Sequence, residues 1–257
     1  MMKTLPFFAL MIFCISAVTQ AQDFDLEDII DGIYLRDSSI QADIKDLTIS
    51  VEAYSRKLSG DGDIKEEAKF LKTYYFKDTL FAVKFLEYYK DGEKQSDEEL
   101  AKQEKEAVKK MKKDNSRDAQ ANPIDPFYPE FRAKYRFDLM GNESKNGYEC
   151  YHIFADCRDE DERLIEGDFW FEIDNLNLVE TEFKPSKLPG PLKQLDMVQT
   201  RKPTETGYWL PASFYLRGRG KVMIFIKFNF EAEELYSDYK INTGLTDDIF
   251  GEDNDED

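Results

Sequence analysis

His152 is the one histidine of the chain, so any histidine-dependent triad or general base would have to use it. It lies between Tyr151 and Ile153 in a strand-like run, and no G-x-S-x-G elbow offers a serine partner. Its expected role is structural, as a core or edge histidine with satisfied ring nitrogens. Cys150, His152 and Cys157 suggest zinc at first sight. Their spacing fits no structural finger and no fourth ligand is evident, so no metal is expected. A Cys150–Cys157 disulfide is disfavoured too. Seven residues of extended strand span roughly 23 Å at about 3.3 Å per residue, whereas bonded Cα atoms lie within about 7 Å. The two could meet only if the strand ended near Phe154. The Asp159-Glu160-Asp161-Glu162 run sits in a turn and reads as solvated charge. Asn142-Glu143-Ser144 is a glycosylation sequon by pattern, relevant only to a eukaryotic chain. No glycine-rich phosphate loop is present. No catalytic residue and no cofactor are therefore assigned, and the protein is expected not to be an enzyme.

The elements that must position these residues are strands. From Ile165 to Phe230 the chain reads as consecutive strands of an antiparallel sheet. In the first of them Ile165, Phe169, Phe171 and Ile173 are apolar and Glu166, Asp168, Glu172 and Asp174 acidic, with Trp170 the exception. Such alternation means one buried and one wet face. Leu178 to Phe183 returns after the Asp174–Asn177 turn, and a strand over 193–201 follows a proline-rich loop. Tyr208–Leu216 and Lys221–Phe230 come next, with Arg217-Gly218-Arg219-Gly220 as the expected hairpin link. A last strand is expected over 234–241. Upstream, strands are expected at 46–58, 67–77, 79–90, 131–140 and 148–155, with turns at Lys77-Asp78 and over 142–147. The apolar first half of Leu80–Tyr89 suggests cover on both faces. Leu26, Ile29, Ile30 and Ile33 give an amphipathic helix over 23–35, slightly weakened by Gly32. Ser96 and Glu99 match a capping box, and Ser96–Lys113 reads as a solvated helix that packs weakly. With the proline-bearing loop 115–129 it forms an insertion, 95–129.

The N-terminus reads as a signal peptide over 1–21. Lys3 supplies the positive charge, Leu5–Val18 the apolar run, and Thr19-Gln20-Ala21 a cleavage site after Ala21. Bulky residues precede Cys14, so lipidation is not expected. An unlipidated, periplasmic or otherwise exported protein follows, with one domain over 22–246 and an acidic tail, 247–257, expected to be disordered. The tail's sharper reading is a docking segment that uses Ile249 and Phe250. With 53 acidic residues against 35 basic ones, nucleic acid is not an expected partner.

Gly147-Tyr148-Glu149-Cys150-Tyr151, Phe169-Trp170-Phe171-Glu172-Ile173-Asp174, Leu178-Val179-Glu180-Thr181-Glu182 and Gly207-Tyr208-Trp209-Leu210-Pro211 resemble motifs of the LolA/LolB/RseB-like superfamily. The resemblance covers Phe24 to Ile241 apart from the insertion. It implies a mainly β (α+β) fold: a curved, unclosed antiparallel half-barrel of about eleven strands, with an N-terminal helix and an inserted helix over it. It also implies a carrier that shields acyl chains in an apolar concave cavity during transfer across the periplasm. The other implied function is a non-enzymatic sensor or scaffold that binds a protein partner, as in the RseB-like branch. For the carriers' helix-latching arginine, Arg36 and Arg56 are the available counterparts. The cavity candidates are the apolar sheet-face residues Phe169, Phe171, Val179, Phe183, Leu195, Met197, Phe214, Leu216, Ile224, Ile226 and Phe228, with Leu210 nearby. The expected partners are a lipid or acylated lipoprotein and a membrane-associated protein, bound by a monomer.

Overall fold

A computed structural model describes residues 25–117, 124–222 and 226–250. The expected signal peptide, Ile224, the side chain of Ile226 and the tail from residue 251 lie outside the described residues. The strands are β1 (Asp46–Leu58), β2 (Ile64–Lys77), β3 (Leu80–Lys90), β4 (Glu93–Lys94), β5 (Tyr135–Lys145), β6 (Tyr148–Cys157), β7 (Ile165–Glu172), β8 (Leu178–Pro185), β9 (Leu192–Pro203), β10 (Trp209–Val222) and β11 (Ile226–Ile241). The helices are α1 (Leu26–Asp43) and α2 (Asp97–Arg117). All eleven strands form one antiparallel sheet in the order β4-β3-β2-β1-β11-β10-β9-β8-β7-β6-β5. The sheet does not close, and with its two helices it is the mainly β half-barrel that the sequence motifs imply.

The first long strand pairs with the last, Leu47 opposite Ile241. The two edges, β4 and β5, are therefore joined only by the segment 95–134. What reads in the sequence as an insertion is the connection that carries the chain from one edge of the sheet to the other.

Local rules place most strand ends. Asp78, Asp91 and Asn146 take positive φ of 50°, 50° and 52°, and Gly92 and Gly147 take 85° and 87°. These are the left-handed positions that tight hairpins require. Asp91-Gly92 ends β3 and turns the chain into β4. β5 runs on to Lys145, so the 142–147 turn shrinks to Asn146-Gly147.

Two expectations fail at the C-terminal hairpin. β10 runs straight through Arg217–Gly220, and Lys221–Phe230 and 234–241 are not separate strands but largely one, β11. The physical reason lies across the ladder. Gly218 pairs with Phe230 and Gly220 with Phe228, and each ring lies so close that a methyl group on either glycine would overlap it. Here glycine makes room for an aromatic ring on the neighbouring strand, and it does not mark a turn.

α1 is longer than expected. Its stripe continues from Ile33 to the buried Ile40 before the helix ends at Asp43. Gly32 has a packing role, because a Cβ there would meet Leu176 Cδ1 at 2.5 Å. α2 lies across β3, where Glu104 accepts the Phe85 N–H at 3.2 Å, and none of its described side chains is buried, in keeping with a solvated helix that packs weakly. β3 is not covered on both faces, since Leu80, Phe81 and Leu86 are exposed. Of the acidic tail, Asp247–Phe250 forms a 3-10 turn, with Lys77 2.6 Å from Asp247.

Both helices sit on the same face of the sheet. Register carries that face from Tyr88 through Phe70, Ala53, Glu234, Phe214, Gln199, Thr181 and Phe169 to Ile153, strand by strand. The main core joins α1 residues Ile29, Ile30 and Ile33 to Tyr135, Ile153, Leu164, Phe169 and Phe171. A second, smaller core on the same face collects Ile49, Val51 and Ala53 of β1 with Phe70, Tyr74 and Tyr236. On the opposite face Cys150, Trp170, Val179 and Trp209 form a third cluster. That cluster explains Trp170, the residue that broke the alternation of β7.

Candidate functional site

The helix-bearing face divides into a filled half and an open half. Over β5–β8 it is filled by α1 and by the stretch that begins at Ile124, which the sequence suggested was loop. Ile124 donates its N–H to the Arg163 carbonyl (2.9 Å) and makes a parallel bridge to Leu164. Pro126 is fully buried and Phe127 is 2% exposed. The Phe127 ring meets Phe169 and Phe171 edge-on at 5.1 and 4.9 Å and lies tilted against Phe137 at 5.4 Å. Phe169 and Phe171, expected in a cavity, border a void of only about 40 Å³, room for a water molecule and not for an acyl chain. Val179 is fully buried and packs in the opposite-face cluster with Trp170. Leu210 is buried as well.

The other candidates behave differently. Phe183, Leu195, Met197, Phe214, Leu216 and Phe228 are all half-buried. Together with Phe230 they line the middle of the face, over β8–β11. Beyond them, between β1–β3, β11 and α2, lies a space of about 380 Å³ bordered by Ala53, Phe70, Phe85, Ala232 and the helix residues Gln103, Glu106 and Ala107. None of these residues is among the cavity candidates that the sequence suggested. The face was continued only by cross-strand register, which periodicity within one strand does not reveal.

A polar group stands in the wall of this space. Lys72 Nζ lies 2.6 Å from Glu234 Oε1 and 2.5 Å from the Tyr74 hydroxyl. Tyr74 donates to the same carboxylate oxygen at 2.8 Å, and Tyr236 donates to Oε2 at 2.7 Å. Burial raises the Glu234 pKa, but the Lys72 charge and the three hydrogen bonds outweigh it and hold the carboxyl below the usual glutamate range.

Arg36 and Arg56 take different parts. Arg36 on α1 donates from Nε to the side-chain oxygen of the buried Asn177 (2.8 Å), tying the helix to the β7–β8 connection. Arg56 sits on the opposite face and joins three strands through Glu67 (2.7 Å) and Glu233 (3.1 Å).

His152 is held on that opposite face. Its Nε2 lies 2.7 Å from Asp168, its Nδ1 lies 3.1 Å from Glu143, and its ring stacks on Trp170 at 4.6 Å. Glu143 also accepts the Trp170 indole N–H. Both ring nitrogens are thus engaged, as a structural histidine requires. Cys150 shares this face, while Cys157 contacts the Ile165 carbonyl on the other; both thiols are free. Burial pushes each thiol up to about 11, so neither is poised as a nucleophile.

Beside the filled half, Asp125 caps its own turn by accepting the Phe127 N–H at 2.8 Å. Burial is the main cause that raises its pKa to about 6; the Asp37 charge adds to this, while the Phe127 hydrogen bond and Arg201 act against it. A carboxyl whose folded pKa exceeds its unfolded value near 3.9 favours the fold when protonated. Its stabilising effect is complete below about pH 4 and lost as pH rises through about 6. Asp125→Asn is therefore expected to stabilise the protein at pH 7.5 by about 2–3 kcal/mol relative to its effect at pH 4. Urea unfolding at the two pH values measures the difference, and equal effects would contradict the burial argument.

No family model and no curated protein matches the chain. Solved structures do. A Vibrio parahaemolyticus domain described as outer membrane lipoprotein-sorting shares 15% identity at a TM-score of 0.39, covering 87% of this chain and 97% of the other. A LolA superfamily protein from Nitrosomonas europaea shares 12% identity at a TM-score of 0.36, covering 87% and 98%. A chain of the MucA/MucB complex of Pseudomonas aeruginosa shares 11% identity at 0.24, covering 80% and 94%. The superfamily suggested by the sequence motifs is represented among them.

Proposed function

We propose that the protein is an exported, non-enzymatic binding protein that shelters an acyl chain in the open half of its helix-bearing face. The observation that supports this reading is the continuous half-buried run Phe183, Met197, Leu195, Leu216, Phe214 and Phe228, which leads to the space under α2. Full burial of each such side chain is worth about 1.5–3 kcal/mol, so a half-covered row favours an apolar occupant. Concave, mostly apolar spaces of about 300–1,000 Å³ are the usual form of small-ligand sites. The ligand is a lipid or the acyl end of a lipoprotein, taken up in the periplasm by a monomer.

Native mass spectrometry of the mature chain, purified without detergent, tests this reading. Bound acyl lipid is expected, and it should be lost in Leu216→Glu with the fold retained by circular dichroism. A chain that is always empty and takes up no added lipid would overturn it. Phe171, by contrast, is the wrong residue to test, because its substitution would unfold the filled half and leave the ligand question unanswered.

The second reading is a scaffold for a protein partner. It is favoured by edge strand β5, where Leu139 and Met140 are exposed beside unpaired backbone. An empty protein whose partner is lost on Met140→Lys would place this reading first.

A further inference from the structure

Within the acyl-chain reading, on which this inference rests, the polar group under α2 bears on which acyl compound is taken. An ion pair in the wall of an apolar space is poorly explained by stability, since well-packed apolar residues serve as well or better. Its hydrogen bonding is asymmetric. Both Glu234 oxygens are engaged: Oε1 accepts from Lys72 and Tyr74, and Oε2 accepts from Tyr236. The Lys72 ammonium carries three N–H donors. It directs two of them, to Glu234 and Tyr74, and has no third partner among the described residues. Its side chain is 10% exposed and borders the space, so an occupant of that space comes within reach of the spare donor.

Charge narrows the choice further. Lys72 and Glu234 cancel, and Glu106 on α2 adds a negative charge to the same space. A second carboxylate would meet repulsion there, and bare hydrocarbon would leave the donor unpaired. A neutral acceptor meets neither cost.

We propose that Lys72 donates its third N–H to the carbonyl oxygen of an acyl ester, fixing how far the chain enters the trough and selecting neutral esters over free fatty acids. Tyr74 and Tyr236 act as positioning residues, holding Glu234 and through it the ammonium.

Displacement of the neutral fluorescent probe N-phenyl-1-naphthylamine by methyl laurate, laurate and dodecane tests this in the intact mature chain. Methyl laurate is expected to displace the probe about tenfold more tightly than either competitor. The variant K72M/E234L exchanges the pair for apolar groups of similar length. It should lose the tenfold preference. Equal displacement by all three compounds in the unaltered protein, tighter displacement by laurate, or a preference that survives in the double variant would overturn the ester inference. The acyl-chain reading would still stand in each of those cases. Failure of all three compounds to displace the probe, or of the probe to bind, would overturn both. The ranking in the unaltered chain decides the matter even if the double variant does not fold.

Discussion

Phe127→Ala is expected to destabilise the protein by about 3–5 kcal/mol, the range for deleting a buried aromatic ring. The size of the effect follows from the neighbours. Phe137, Phe169 and Phe171 all rest on the Phe127 ring. Denaturant unfolding followed by tryptophan fluorescence measures it. A loss below about 1 kcal/mol, typical of surface positions, would show that Ile124–Phe127 is a detachable flap and not core. The carrier question would then reopen for the whole face, because lifting Phe127 uncovers the two residues that the sequence first proposed as cavity lining.

The second large effect is expected at Gly167. It pairs with Phe183 across β7 and β8, and a Cβ there would overlap the Glu182 carbonyl oxygen and approach the Phe183 Cα to 2.7 Å. Both obstacles are backbone, which cannot swing aside as a side-chain tip can. Its φ of 157° is also unfavourable for other residues. Overpacking and backbone strain each cost about 1–3 kcal/mol. Gly167→Ala is accordingly expected to lower stability by roughly 2–6 kcal/mol, measured by the same unfolding experiment. Gly60→Ala is the control. Nothing lies within 4 Å of its added methyl, and a change within about 0.5 kcal/mol is expected. Similar losses at the two positions would show that the β7–β8 approach is not as tight as described.

The sheet was legible in the sequence because its strands are half-buried and alternate. Ile165, Phe169 and Phe171 read as inward and are inward. Tight turns carried by Asp78 and Asn146 were legible for the same local reason. What failed depended on contacts between distant residues. Gly218 and Gly220 look like turn residues until Phe228 and Phe230 are laid beside them. Ile124, Pro126 and Phe127 look like loop because no periodicity marks a short segment that fills a core end-on. The Lys72–Glu234 pair spans 162 positions, and each residue alone is an ordinary charged residue in an alternating strand. The opposite sides of one sheet face cannot be told apart from composition. Phe171 and Phe214 both read as inward aromatics, yet only the first is covered by α1 and Phe127.

The division of the helix-bearing face also bears on how the molecule opens. One buried cluster holds β5–β8 to α1, and another holds β1, β2 and β11 together. Between them, β9 and the body of β10 contribute half-buried residues and backbone pairing, but no side chain of either cluster. Such an arrangement favours two cooperative units that exchange amide hydrogens at different free energies, with the β9–β10 ladder as the seam. The half-buried aromatics lie along that seam, so a guest held there would bridge the two units and couple their opening. Occupancy would then register as slower exchange far from the ligand, on strands that it never touches.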